Sequence, residues 1–331
     1  MIKDGFDDPI GIIKFITING VPTKIVIYDS NPIEIPFDYD RLILMISGNP
    51  GEIEYYRNYL WQVHQKTKLP VIGISNSGHN RLPSNLSMPN VYQNGHLYGL
   101  NGQIQNKRTF IDQFISKRTK LILLGHSIGT YMIIELLDQF PQINNMVDHC
   151  ILLMPTIEHI GQTAMGQKVA QYIRWGYYPL LSLAYILDLM TQRFKNILAN
   201  YVLRKDVPTL TASKYEMSQL VPKSVIEAAT NLFNPNCVRA LIYMTETEFK
   251  QVQEANIEAI DLNKNKLTFL CSENDHWFPK EFFEKLQRRL PDQVDMKLCL
   301  GQIIHAFVVD REATEHIANL TFDIIKNVIN C

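Results

Sequence analysis

Four short aliphatic runs recur in the first half of the chain: RLILMISG (41–48), LPVIGIS (69–75), TKLILLG (119–125) and VDHCILLMP (147–155). Each is too short for a helix and too uniformly apolar for a strand with one wet face. Each therefore reads as a strand buried on both faces, as in a parallel sheet. Between them lie stretches with helical spacing. EIEYYRNYLWQVHQK (52–66) puts Ile53, Tyr56, Leu60 and Val63 on one face; QIQNKRTFIDQFISK and IGTYMIIELLDQF, which stops before Pro141, are helical by the same period. Strands alternating with helices at this spacing imply βαβ units: an α/β fold with a mainly parallel sheet and helices on both faces. Ahead of them, GIIKFITING and TKIVIYDS read as two strands joined at the turn NGVP.

The alternation stops at Thr156 and resumes near Asn265. The intervening sequence is helical by pattern and holds no clear strand. Beyond it come a strand in NKLTFLCSEND (265–275), a helix in PKEFFEKLQRRL, a last strand in DMKLCLGQIIHAF and a closing helix in REATEHIANLTFDIIKNVI. The expected organisation is an α/β core of residues 1–155 and 266–331, interrupted by a helical cap insertion at 156–265.

Composition narrows the function classes. With 331 residues, 46% of them hydrophobic, the chain can bury a substantial core. Its net charge of −1 and the lack of a long basic run give no footprint for nucleic acid. Cysteines stand at Cys150, Cys237, Cys271, Cys299 and Cys331, an odd number. Three of them sit inside apolar runs, which reads as reduced, buried thiols in a cytosolic setting. None has the Cys/His spacing of a metal site, so no metal is expected. The N-terminal MIKDGFDDPIG is acidic and lacks the apolar core of a secretory signal. WGYYPLLSLAYILDLM (175–190) is the longest apolar stretch, but it is shorter than the roughly 20 residues that cross a bilayer. It reads either as a buried helix or helical hairpin, or as an interfacial element opened by Trp175, Tyr177 and Tyr178.

The site is read from GHSIG (125–129), which matches the nucleophile-elbow pattern G-x-S-x-G between a buried strand and a helix. Ser127 must take a strained conformation there, and side chains at Gly125 or Gly129 would collide with neighbouring backbone. A tight turn with a capping serine would use the same letters, so the partners decide. A serine hydroxyl needs a base, and the base needs an orienting acid. In an α/β-hydrolase these follow in the order Ser, acid, His. Asp275 follows the strand KLTFLC, and His305 follows MKLCL. Glu273, His276, His316, Asp292 and Asp295 are weaker candidates: Glu273 and His276 flank Asp275, His316 lies inside the last helical pattern, and the two Asp precede their strand. The oxyanion hole is expected from the N–H groups of Ile128 and of Asn49 in SGNPGE, since Pro50 has none to give.

These residues together resemble the lipid droplet-associated hydrolase family, a branch of the α/β-hydrolases. SGNPG, SGHN, LNGQIQNK, GHSIGTY, LLMPTIE, ENDHWFP and IIHAFV carry the resemblance in order along nearly the whole chain. It implies an α/β-hydrolase fold and a Ser/Asp/His serine hydrolase on the cytosolic face of lipid droplets and the endoplasmic reticulum. Its substrate would be a lipid ester, a sterol ester or another neutral lipid, and no cofactor is required. The triad falls on Ser127, Asp275 and His305. One departure is Ser47, where many α/β-hydrolases have His. The resemblance also favours lipid contact for 175–190, as an apolar hairpin turned at Pro179 or a helix laid flat on the droplet monolayer. Two other readings stay open: a droplet-organising or lipid-binding protein with little catalytic activity, and a soluble esterase or thioesterase of small substrates with no lipid surface.

Overall fold

A computed structural model describes residues 11–29, 33–207, 221–291 and 293–330. The N-terminal acidic stretch up to residue 10, Asp292 and Cys331 lie outside the described residues. The strands are β1 (Ile12–Ile18), β2 (Val21–Tyr28), β3 (Arg41–Ile46), β4 (Val71–Ile74), β5 (Lys120–His126), β6 (Val147–Leu153), β7 (Leu267–Asn274) and β8 (Asp295–Ile304). They form one eight-stranded sheet in the order β1-β2-β4-β3-β5-β6-β7-β8. β1 and β2 pair antiparallel, as do β2 and β4, and every later pairing is parallel.

The helices are α1 (Arg57–Thr67), α2 (Leu100–Phe114), α3 (Ile128–Gln139), α4 (Pro141–Asn144), α5 (Ala164–Leu189), α6 (Gln192–Leu203), α7 (Lys223–Asn231), α8 (Pro235–Gln251), α9 (Ile257–Leu262), α10 (Lys280–Arg289) and α11 (Arg311–Asn330). Strand alternation sorts the central aliphatics into two layers. Leu42, Leu44, Ile46, Leu121 and Leu123 pack with α2 and α3 through Phe110, Ile111, Met132 and Ile133. Ile43, Met45, Ile122 and Leu124 pack on the opposite face with α1 and α11, through Tyr59, Leu60, Ile317 and Ile325. That two-sided burial is why aliphatics fill consecutive positions of these runs and not alternate ones, each buried side chain contributing roughly 1.5–3 kcal/mol.

Some local expectations are revised. The first helix does not begin at residue 52: Ile53–Tyr56 is a 3₁₀ turn, and α1 starts at Arg57. The tight turn is set by Glu52, which accepts the Glu54 N–H with one carboxylate oxygen and the buried Lys24 ammonium with the other. Residues 175–190 do not form a hairpin turned at Pro179. Residues 175–189 are the C-terminal part of α5, one continuous helix that carries Pro179 inside it at the loss of that residue's backbone N–H, and Met190 follows as its C-cap. Nor is this stretch buried core. Ala184 and Leu187 face the protein, whereas Trp175 is 76% and Leu189 87% exposed. No helix among the described residues is long and apolar enough to cross a membrane.

Candidate active site

β5 ends at His126 and α3 begins at Ile128, so Ser127 makes the whole strand-to-helix turn. Its φ of 54° is a left-handed conformation that a non-glycine residue holds only against a cost of about 1–3 kcal/mol. Close approach of backbone to backbone keeps it there. A Cβ on Gly129 would lie 2.5 Å from the Ile46 carbonyl oxygen, and one on Gly125 would lie 2.9 Å from the Gly129 oxygen. The Ser127 N–H is tied to the Leu153 carbonyl at 3.0 Å, and its own carbonyl accepts the Thr130 hydroxyl at 2.6 Å.

His305, directly after β8, sets Nε2 2.9 Å from Ser127 Oγ and Nδ1 2.7 Å from Asp275 Oδ2. Asp275 lies in the loop after β7, 3% exposed, and its Oδ1 accepts the backbone N–H groups of Trp277 (2.7 Å) and Phe278 (3.0 Å). Burial pushes its pKa up, but the adjacent His305 ring and these hydrogen bonds prevail and hold it below the ordinary carboxylate value. An ionised carboxylate only accepts, so His305 carries its proton on Nδ1 and presents a lone pair on Nε2 to the Ser127 hydroxyl. Ser127, Asp275 and His305 are therefore brought together. The weaker candidates are not: Glu273 is exposed and accepts the Gly301 N–H, His276 and His316 are exposed, and Asp295 pairs with Lys297 at the far end of β8.

The loop after β3 reaches the same point. The backbone N–H groups of Asn49 and Ile128 bond to no other described residue. Much of the loop is shaped by SNSGHN, the segment after β4. Asn76 donates to the Gly48 carbonyl at 2.8 Å, and the Gly51 N–H donates to His79 Nδ1 at 2.9 Å. A Cβ on Gly51 would overlap the Asn76 side chain. Burial and the neighbouring Lys107 push the His79 pKa down to about 3, which keeps that nitrogen an acceptor. Ser47, the departure from the common His, turns its hydroxyl inward to the Gly51 and Ile74 carbonyls.

Further residues at the site lay beyond the sequence reading. His126 is buried and neutral, its pKa pushed by burial and by His305 to about 3. Its Nε2 lies 2.9 Å from the His305 carbonyl, which can only accept, so Nε2 bears the proton and Nδ1 accepts from the Tyr56 hydroxyl at 2.7 Å. Tyr56 Oη in turn accepts the Gly48 N–H at 3.1 Å. One chain of bonds thus joins the Asn49 loop, the elbow and the His305 loop. Above Ser127 lies a cavity of about 130 Å³ whose walls include Asn49, Leu241, Thr245, Glu248 and Trp277. Leu241, Thr245 and Glu248 recur at positions i, i+4 and i+7 of α8 and so share one face. That periodicity was the available signal, obscured because two of the three residues are polar.

The strand order, the elbow between β5 and α3, and the loops that carry Asp275 and His305 define an α/β-hydrolase. Residues 40–308 match the family described as lipid-droplet associated hydrolase, and the chain belongs to that family. It is 29% identical to the lipid droplet-associated hydrolase of Gallus gallus over 291 residues, covering 86% of this chain and 85% of that protein. The Homo sapiens protein of the same name is also 29% identical over 294 residues, with the same coverage. Among solved structures, the haloalkane dehalogenase DatA from Agrobacterium tumefaciens C58 superposes with a TM-score of 0.62 at 12% identity, over 97% of this chain and 98% of that one. That likeness extends to the fold alone.

Proposed function

We propose that the protein is a serine ester hydrolase acting on a lipid ester at the surface of lipid droplets and the adjoining endoplasmic reticulum, on their cytosolic side. The observation that carries this reading is the unbroken hydrogen-bond line from Ser127 Oγ through His305 to Asp275. Ser127 attacks the ester carbonyl while His305 Nε2 takes its proton, and Asp275 holds the ring and stabilises its cationic form. The Ile128 and Asn49 N–H groups receive the oxyanion. His305 then returns the proton to the departing alkoxide, and water activated by the same nitrogen releases the acid from Ser127. Neither a metal nor an organic cofactor enters these steps. The α/β core of residues 1–155 and 266–331 carries the chemistry, and the helical insertion at 156–265 acts as a cap. A fluorophosphonate probe tests the nucleophile: Ser127 is expected to be labelled in the folded protein and not after heat denaturation. Unlabelled Ser127 in folded protein would count against the reading.

The exposed face of α5 and α6 supports the lipid surface. Trp175, Tyr178, Ile186 and Leu189 on α5, with Ile197 on α6, are all more than half exposed, and Arg174, Arg204 and Lys205 lie against exposed aromatic rings. An apolar helix face edged with cations suits the boundary between headgroups and acyl chains. The membrane-side role of 175–190 is thus a flat helix. Each such side chain contributes on the order of 1.5–3 kcal/mol when fully buried, and tenfold in affinity is about 1.4 kcal/mol. The triple variant Trp175→Asp, Ile186→Asp, Leu189→Asp is therefore expected to bind phospholipid-coated triolein emulsions at least ~100-fold more weakly, with its Tm little changed. Flotation with the emulsion measures this, and undiminished binding would remove α5 from the docking role. A droplet-organising protein with little catalytic activity is the second reading. It is favoured by the small cavity above Ser127, well below the ~300 Å³ at which pockets for drug-sized ligands begin.

A further inference from the structure

The cavity above Ser127 has one polar wall that the reaction does not use. Glu248, 3% exposed, projects from α8 beside Asn49, whose Nδ2 donates to Glu248 Oε1 at 3.0 Å and to Thr245 Oγ1 at 2.9 Å. Among the described residues no hydrogen bond reaches Glu248 Oε2, and the Asn49 amide oxygen is buried without a partner. Ile160, Val169, Leu241 and Trp277 make the remaining walls apolar. A wholly apolar ester in this space would leave Glu248 Oε2 and the Asn49 amide oxygen unpaired, and the site would select against such a substrate.

We propose that Glu248 and Asn49 form a recognition subsite for a free hydroxyl next to the scissile ester, so that the site takes partial esters of a polyol in preference to esters of simple alcohols. Burial pushes the Glu248 carboxyl up to about 8, against a smaller opposing pull from the Asn49 amide, so that near pH 7 it is mostly protonated and both donates and accepts. A hydroxyl on the carbon adjacent to the one that bears the ester oxygen can then accept from Glu248 and donate to the Asn49 amide oxygen, which fixes the carbonyl over Ser127. Because Asn49 also lies in the loop that offers an N–H to the oxyanion, the alcohol side of the substrate and the reacting carbonyl share one anchor. This inference rests on the hydrolase reading above and goes beyond it by naming the kind of alcohol.

The test uses two soluble esters with one acyl group, glycerol monobutyrate and methyl butyrate, so that no lipid surface intervenes. After each rate is divided by that ester's hydroxide rate, the wild-type kcat/KM ratio is expected to favour the glycerol ester at least ~10-fold. This is a modest fraction of the 10⁴–10⁵ that a fully enclosed polar site reaches. Glu248→Leu is expected to bring the ratio to near unity, and Glu248→Gln, which keeps both donor and acceptor, to hold it within about threefold of wild type. A wild-type ratio near one, or a ratio that Glu248→Leu leaves intact, overturns the subsite while the hydrolase reading stands. No turnover of either ester together with no fluorophosphonate labelling of Ser127 overturns both. Should Glu248→Leu fail to fold, the wild-type ratio and the Glu248→Gln ratio still decide.

Discussion

Ser127→Ala is expected to lower kcat for ester hydrolysis by about 10⁴–10⁶-fold, to the residual rate that binding and oxyanion contacts alone support. The change deletes one oxygen. That oxygen is bonded to His305 Nε2 and to nothing that holds the elbow together, because the turn is kept by the Ser127 backbone bonds to Leu153 and Thr130. The Tm should therefore move little, and emulsion binding should persist, since the exposed face of α5 and α6 lies elsewhere in the chain. Rates on a soluble ester, flotation with coated triolein and the thermal transition are measured on one preparation. A variant that keeps more than about a hundredth of the wild-type rate would sink Ser127 as nucleophile. If instead hydrolysis is lost but lipid stores in cells expressing the variant are handled as by the wild type, droplet organisation becomes the better account of the protein's role.

The parts of this molecule that could be read from sequence share a physical cause. β3, β5 and β6 lie in the middle of the sheet, and burial on both faces sets aliphatics at consecutive positions, in a run that no helix pattern imitates. Asp275 and His305 could be placed beside Ser127 because a parallel sheet delivers the C-terminal ends of its strands to one edge, whatever the loops contain. The features that escaped depend on where a polar atom at the end of a long side chain arrives. Tyr56 was legible as one residue of an apolar helix face, and it is indeed buried, but its hydroxyl also links Gly48 to His126. Glu248 resembles its neighbour Glu246 as a letter; only packing of α8 over the Asn49 loop separates a buried carboxyl from an ordinary one. SNSGHN looked like a long polar loop, whereas its side chains replace secondary structure as partners for the backbone of SGNPGE. The 175–190 stretch was misleading for the opposite reason. Its proline suggested a bend, and hydropathy alone does not say whether an apolar face meets protein or faces outward.

Asp275→Asn is the sharper test of how His305 is used, with an expected loss of about 10⁴-fold in kcat, the size of effect that follows when a triad acid loses its charge. Asparagine has nearly the same shape. Its oxygen can take the place of Asp275 Oδ1 and keep the Trp277 and Phe278 N–H bonds, so the loop is retained. Its NH₂ then occupies the place of Oδ2 and points a proton at His305 Nδ1, 2.7 Å away in the wild type. That nitrogen must become the acceptor, which moves the ring proton to Nε2 and leaves Ser127 facing a donor where it needs a base. Fluorophosphonate labelling of Ser127 should slow with hydrolysis, although Ser127 itself is untouched. Stability gives a separate readout. Because the folded Asp275 titrates below its unfolded value, its contribution is present above the unfolded pKa and disappears as pH falls through the folded one. The stability gap between wild type and Asp275→Asn should therefore be wider at pH 7 than in acid. A variant that hydrolyses esters within tenfold of wild type, while its urea midpoint shows the expected pH dependence, would mean that Asp275 holds the loop without serving the base.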